Sequence, residues 1–193
     1  MYSIKRHIEP IIERRAKNCW RSNMGEVIEI SIVGNDLKLF DSLRDFISHY
    51  CNTDNIGTIE IMDNWEYENC VKIENAIDIK KYAENKIVRI SFTGKDFDSG
   101  IYIESKKNLY YMTGWMNPLE GISEDNYKAI ISKAVEYFKS NSLIEICGIG
   151  KEIVVDYDNG LFDAIKNAHN VDVWMVSDLK YVTQKKQKYI LIK

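Results

Sequence analysis

Three histidines, four cysteines and two close carboxylate pairs are the residues whose types and spacing bear on catalysis. His7, His49 and His169 lie far apart, and none has a second histidine two to four residues on. His49 stands two residues from Cys51, with no third ligand nearby. A structural zinc takes four ligands and a catalytic one usually three, so neither metal nor other cofactor is expected. Cys19, Cys51, Cys70 and Cys147 make no CxxC pair, and a chain of this size does not need disulfide staples. A nucleophilic serine or cysteine needs a base and an orienting acid, yet no GxSxG elbow is present. Gly148, Gly150 and Lys151 look like part of a phosphate loop. However, Glu145 stands where its first glycine belongs, and Glu152 replaces the hydroxyl that would hold magnesium. A tight turn between two strands is the expectation for these glycines. Asp96 with Asp98, or Glu66 with Glu68, has the spacing of an acid pair for hydrolysis. In a polar turn nothing buries them to raise either pKa, so solvated acids are expected.

Aromatic residues carry the stronger signal. Asp63-Asn64-Trp65-Glu66-Tyr67-Glu68 sets two rings among three acids. Interface centres draw most of their affinity from a few rigid rings, so this segment reads as an exposed binding patch. Tyr110 to Met116 is apolar on both alternating faces, and Tyr111 and Trp115 are expected in the core. The residues expected to touch a partner are Asp63, Trp65, Glu66, Tyr67 and Glu68, together with Asp96 and Asp98.

The elements that position these residues follow from periodicity. Val27 to Val33 alternates apolar and polar, as in a half-buried strand. Asn35 or Asp36 then caps a helix whose stripe is Leu37, Phe40, Leu43, Phe46, Ile47 and Tyr50. Gly57 precedes a second strand through Ile59 and Ile61. Residues 63–86 are irregular, and Lys86 to Thr93 is a strand. Gly94 to Gly100 reads as a turn. Ile101 to Glu104 and Leu109 to Thr113 form a hairpin around Ser105-Lys106-Lys107-Asn108, in an antiparallel meander whose connections are too short for crossovers. Gly114, Pro118 and Gly121 mark a loop. Ser123 caps a helix with Glu124 and Asp125 in its first turn and Tyr127, Ile130, Ile131, Ala134, Val135 and Phe138 in its stripe. Strands at Leu143 to Cys147 and Ile153 to Tyr157 follow. A helix at Leu161 to Ala168, entered at Asp158 or Asn159, ends at His169. Strands at Val171 to Val176 and Tyr189 to Ile192 complete the chain. The expected fold is α+β, that is, mixed α/β. It has an antiparallel-rich mixed sheet of six to eight strands with three or four helices packed mainly on one face. The chain is expected to be a single domain, residues 1–193. Its first 25 residues, with Ile4, Ile8, Ile11 and Ile12 at helical spacing, form a basic helical segment packed on it or extending from it.

Composition bounds the function. The net charge of −3 hides a segregation. Residues 1–25 carry six Lys/Arg against two Glu, and residues 178–193 carry five Lys against one Asp, so each end is +4 and residues 26–177 hold −11. From Asp54 to Asp78 there are seven acids and one lysine. An acidic body suits a cationic protein rather than nucleic acid. The excess of Ile (28) and Asn (16) over Pro (2) marks an AT-rich genome rather than a function. Glu9, Pro10 and Glu13 interrupt any signal-peptide run, and no apolar stretch has membrane-span length, so a soluble cytoplasmic protein is expected. The expected role is a non-enzymatic protein-binding module. Its most concrete form is an immunity-type inhibitor that neutralises a basic bacterial toxin such as a nuclease. The alternatives are a small-molecule enzyme, with Asp96, Asp98, Asp158 and His169 as its titratable groups, and a structural or regulatory homodimer.

Overall fold

The computed structural model describes residues 27–53, 55–73, 78–182 and 187–192. The basic segment 1–25, with His7 and Cys19, lies outside them. In β1 (Ile28–Gly34), Ile28, Ile30 and Ile32 are fully buried, and Glu29, Ser31 and Val33 turn to the opposite face by the alternation of a strand. Asp36 accepts the Lys38 backbone N–H at 2.9 Å and so starts α1 (Lys38–Cys51), which ends at Asn52 in the left-handed conformation. The chain continues through β2 (Asn55–Met62), β3 (Val71–Ile73), α2 (Ile79–Ala83) and β4 (Ile87–Thr93). A long hairpin follows, β5 (Phe97–Lys106) and β6 (Leu109–Pro118), closed by Lys107 and Asn108 at φ of 53° and 64°. Two positive φ values give the turn a twist that matches its strands. Ser123 caps α3 (Glu124–Phe138) by accepting from the Asn126 N–H. Then come β7 (Ile144–Val154), α4 (Leu161–Asn167), β8 (His169–Val176), a 3₁₀ turn at Leu179–Tyr181 and β9 (Lys188–Leu191).

The nine strands form one sheet in the order β3-β2-β4-β5-β6-β1-β7-β8-β9. Every neighbouring pair is antiparallel except β8 with β9. This is the expected α+β mixed sheet, with one strand more than the upper expectation. The extra strand is β3, three residues inside the segment read as irregular. α1, α2 and α3 bury their stripes on one face in a single core with Ile30, Ile90, Ile101 and Met112. α4 lies on the other face, over Val33, Ile146, Trp174 and Val176. No helix among the described residues is long and apolar enough to cross a membrane.

Several local expectations are corrected. Residues 97–100 are not in a turn but already paired in β5, because Ser99 alternates into the core beside Phe92 and Met116. Gly114 lies inside β6, where an added Cβ would stand 2.6 Å from the Ile47 side chain. Gly148 and Gly150 are strand residues of a continuous β7, not a turn. A Cβ on Gly148 would meet the Trp174 ring at 2.9 Å, and one on Gly150 would meet the Asn170 carbonyl at 2.0 Å. Close approach, not chain reversal, is what these glycines serve. His169 begins β8 rather than ending a helix, and α4 is entered at Gly160 without a side-chain cap.

Candidate functional site

The sheet face turned away from α1–α3 holds one unbroken row of register partners. Across the nine strands these are Lys72, Glu60, Arg89, Tyr102, Thr113, Ser31, Gly148, Trp174 and Tyr189. α4 covers the Trp174 end. Over the Arg89–Tyr102 end no helix packs among the described residues. The loop between β2 and β3 lies there instead, and it carries the acidic–aromatic segment.

Asn64 organises that loop. Its side-chain oxygen accepts from the backbone N–H groups of Glu66 and Glu68 at 3.0 and 3.2 Å, and the Asp63 N–H closes the turn onto the Glu68 carbonyl at 3.0 Å. Lys86 and Asn69 donate to the Asp63 carboxylate. These two hydrogen bonds, Lys86 first, hold Asp63 below the usual carboxylate range. The closed loop turns its rings toward the sheet. Trp65 packs on Tyr102 with ring centroids 5.2 Å apart, Tyr102 packs on Trp115 at 4.7 Å, and the hydroxyls of Tyr67 and Tyr102 are hydrogen-bonded at 2.8 Å. Trp115 lies flat over Gly100, where a Cβ would stand 2.2 Å from the indole. The Arg89 guanidinium sits 5.2 Å from the Trp115 ring centroid and 5.9 Å from that of Tyr102. It donates to buried Glu60 at 2.6 Å. A cation held on two aromatic faces and paired with a carboxylate is rigid and strongly oriented.

Trp65 and Tyr67 are therefore half-buried rather than standing free, and they present an edge of an aromatic stack. Glu66 and Glu68 are exposed beside them. Asp96 and Asp98 lie elsewhere. Met62, just before the loop, pairs with Ile87 at one end of β4, and Thr93 pairs with Asp98 at the other. Seven strand residues put the two groups about 20 Å apart. Asp98 shares the aromatic face, whereas Asp96 is in the β4–β5 turn. Glu66, Glu68, Asp96 and Asp98 have no ion pair among the described residues. The titratable groups of the enzyme alternative do not converge. Asp158 is held by Lys106 at 3.3 Å at the far end of β5 from Asp98, and His169 is on β8.

A second concavity escapes sequence reasoning. Between α3 and the β7–β8 pair lies a groove in two adjoining parts of about 370 and 380 Å³, both bordered by Glu124, Tyr127 and Asp172. Two register shifts in β7–β8 shape it. Asp172 is left unpaired between Val171 and Val173, and residues 151–153 bulge opposite Asn170. Bulges of this kind re-aim side chains. Here Tyr127 donates to the Asp172 carboxylate, and the Lys151 ammonium lies 4.3 Å from the Tyr127 ring centroid and 3.7 Å from Glu124. Glu152 and Asn170, on the two strands that meet there, adopt φ of 48° and 61°, which non-glycine residues seldom take, and nothing in the sequence marks either position. No group of three or more His, Cys, Asp or Glu among the described residues is placed to hold a metal ion. Burial pushes the Cys51 thiol up to about 12 and raises that of Cys147 as well, so neither is a thiolate near neutral pH. No protein-family model, curated protein or solved structure matches the chain.

Proposed function

We propose that this chain is a non-enzymatic protein-binding module that takes a basic protein on its acidic–aromatic sheet face. Its most concrete form is an inhibitor of the immunity type, which neutralises a cationic toxin such as a nuclease. The observation that carries the reading is the Trp65–Tyr102–Trp115 stack, fixed by Arg89 and edged by the exposed Glu66 and Glu68. Rigid, half-buried rings lose little entropy on binding and act as anchors. Exposed acids attract a cationic surface from a distance and accelerate encounter. The −11 of residues 26–177 extends that attraction over the body of the molecule.

The two contributions separate kinetically. With the partner immobilised, Glu66→Lys with Glu68→Lys slows association and flattens its salt dependence. Trp65→Ala leaves association nearly unchanged and speeds dissociation by about tenfold or more. If neither variant alters the kinetics, the face is not the interface.

One observation supports a second reading, an enzyme or receptor for a small molecule: the bulged strands aim Asp172 at Tyr127 beside Lys151 within a groove. Paired hydroxyl and carboxylate groups beside an ammonium have the make-up of a polar-ligand site. A thermal-shift screen of polar metabolites, with Asp172→Asn as the control, tests it. A ligand that stabilises the wild type and not the variant supports this reading, and no shift with any ligand removes it.

A further inference from the structure

Val27, the first of the described residues, leads into β1 close to the aromatic stack. Its carbonyl accepts from the Glu152 N–H at 2.9 Å. Two residues on, Glu29 is the register partner of Trp115, on the face that holds the stack. From β1 across β6 and β5 to β4 is three strand spacings, about 14 Å. Residues 1–25 join the body at this place, and even as a helix they would reach about 37 Å. The face beside their point of entry is acidic. Glu29 and Asp98 lie on its strands, and Glu66 and Glu68 are exposed on the loop that borders it. Arg89, the cation of the stack, is paired with Glu60. The segment is of the opposite kind. It carries six Lys/Arg against two Glu, with Ile4, Ile8, Ile11 and Ile12 at helical spacing ahead of Arg14, Arg15, Lys17 and Arg21.

We propose that the basic segment 1–25 docks on the acidic–aromatic face of its own chain. Its isoleucines meet the ring edges of Trp65 and Tyr102, and its cations lie among Glu29, Glu66, Glu68 and Asp98. Apolar area leaves water in the first contact, and opposite charges select the orientation in the second. The tether favours this occupant over a second copy. A contact within one chain is made at an effective concentration on the order of millimolar. An anionic lipid surface would attract the segment but be repelled by the acids of the face. The docking needs no other protein, so it stands or falls separately from the partner reading. Where both hold, the segment is a built-in competitor, and a basic partner gains the face by displacing it.

A nitroxide spin label on Cys19 of the full chain tests this by nuclear magnetic resonance. Exposed Cys70 is replaced by serine, and the other two thiols, Cys51 and Cys147, are buried away from the reagent. At low salt the label removes most of the intensity of the Trp65 indole N–H and of the Glu66 and Glu68 amides. That intensity returns as salt rises. It also returns at low salt when Arg14→Glu, Arg15→Glu, Lys17→Glu and Arg21→Glu are combined, with the far-ultraviolet circular dichroism unchanged. A spin-labelled chain mixed with an isotope-labelled chain that has no nitroxide leaves the second chain's signals intact, because the contact is made within one molecule. Loss of signal in that mixture overturns the proposal in favour of a second copy. Loss at Asn170 and Asp172 with Trp65 unaffected overturns it in favour of the groove beside α3. A label that broadens none of these signals overturns it outright.

Discussion

Arg89 is the residue on which the candidate site depends most. Its guanidinium neutralises Glu60, which is only 8% exposed, and braces two rings at once. Arg89→Ala leaves Glu60, among the described residues, with Lys72, 3.8 Å away. Breaking a largely buried pair from one side costs about 3 kcal/mol, and urea unfolding measures that loss. Asp63 acts on the loop rather than on the core. Its carboxyl pKa is depressed in the folded protein, so the stabilisation it brings is complete above the unfolded value, about 4. That stabilisation is lost as pH falls through the lower folded value. Acidification below pH ~4 therefore loosens the 63–70 loop and shifts Trp65 fluorescence toward that of an exposed indole. Asp63→Asn removes this step from the titration. Trp65 and Tyr67 are recognisable in the sequence as a binding feature because acids surround them. Their half-burial is not, because the ring they rest on, Tyr102, is supplied by a strand more than thirty residues away in the chain.

The helices and the long hairpin are legible because their signals are local. α3 has its Ser123 cap, first-turn acids and a regular stripe, and α1 has Asp36 and an equally regular stripe. Glycines mislead where they serve packing. Gly114, Gly148 and Gly150 carry the sequence signature of turns, yet each lies in a strand where another group presses on the backbone. The last of these gives a test. A methyl group at Gly150 would stand 2.0 Å from the Asn170 carbonyl, and that carbonyl, as backbone, yields little. Gly150→Ala costs about 2–3 kcal/mol of stability and displaces the bulge that aims Asp172. Chemical denaturation reads the first effect, and the chemical shift of the Tyr127 ring reads the second. If Gly150→Ala is neutral, the bulge is softer than its geometry requires.

For the molecule as a whole, strand order is the main feature that periodicity does not reveal. α1 joins β1 to β2, yet three strands, β6, β5 and β4, separate them in the sheet. That order decides which side chains meet. It sets the β2–β3 loop over Tyr102 and leaves Asp96 and Asp98 at the far end of β4, although acidity alone groups all of these residues together. The charge segregation, in contrast, is plain in the sequence, and the fold sets exposed Glu66, Glu68 and Asp98 on the sheet face that holds the aromatic stack. A face with aromatic anchors, exposed acids and a cationic partner is the central claim. Its most direct test is capture of partners from a lysate of the native host at low and high salt. The wild-type chain is compared there with the Trp65→Ala, Glu66→Lys, Glu68→Lys variant. One stoichiometric basic protein, held by the wild type at low salt, weakened by high salt and absent from the variant, is the predicted result. A partner held equally by the variant, or no partner at either salt, contradicts it.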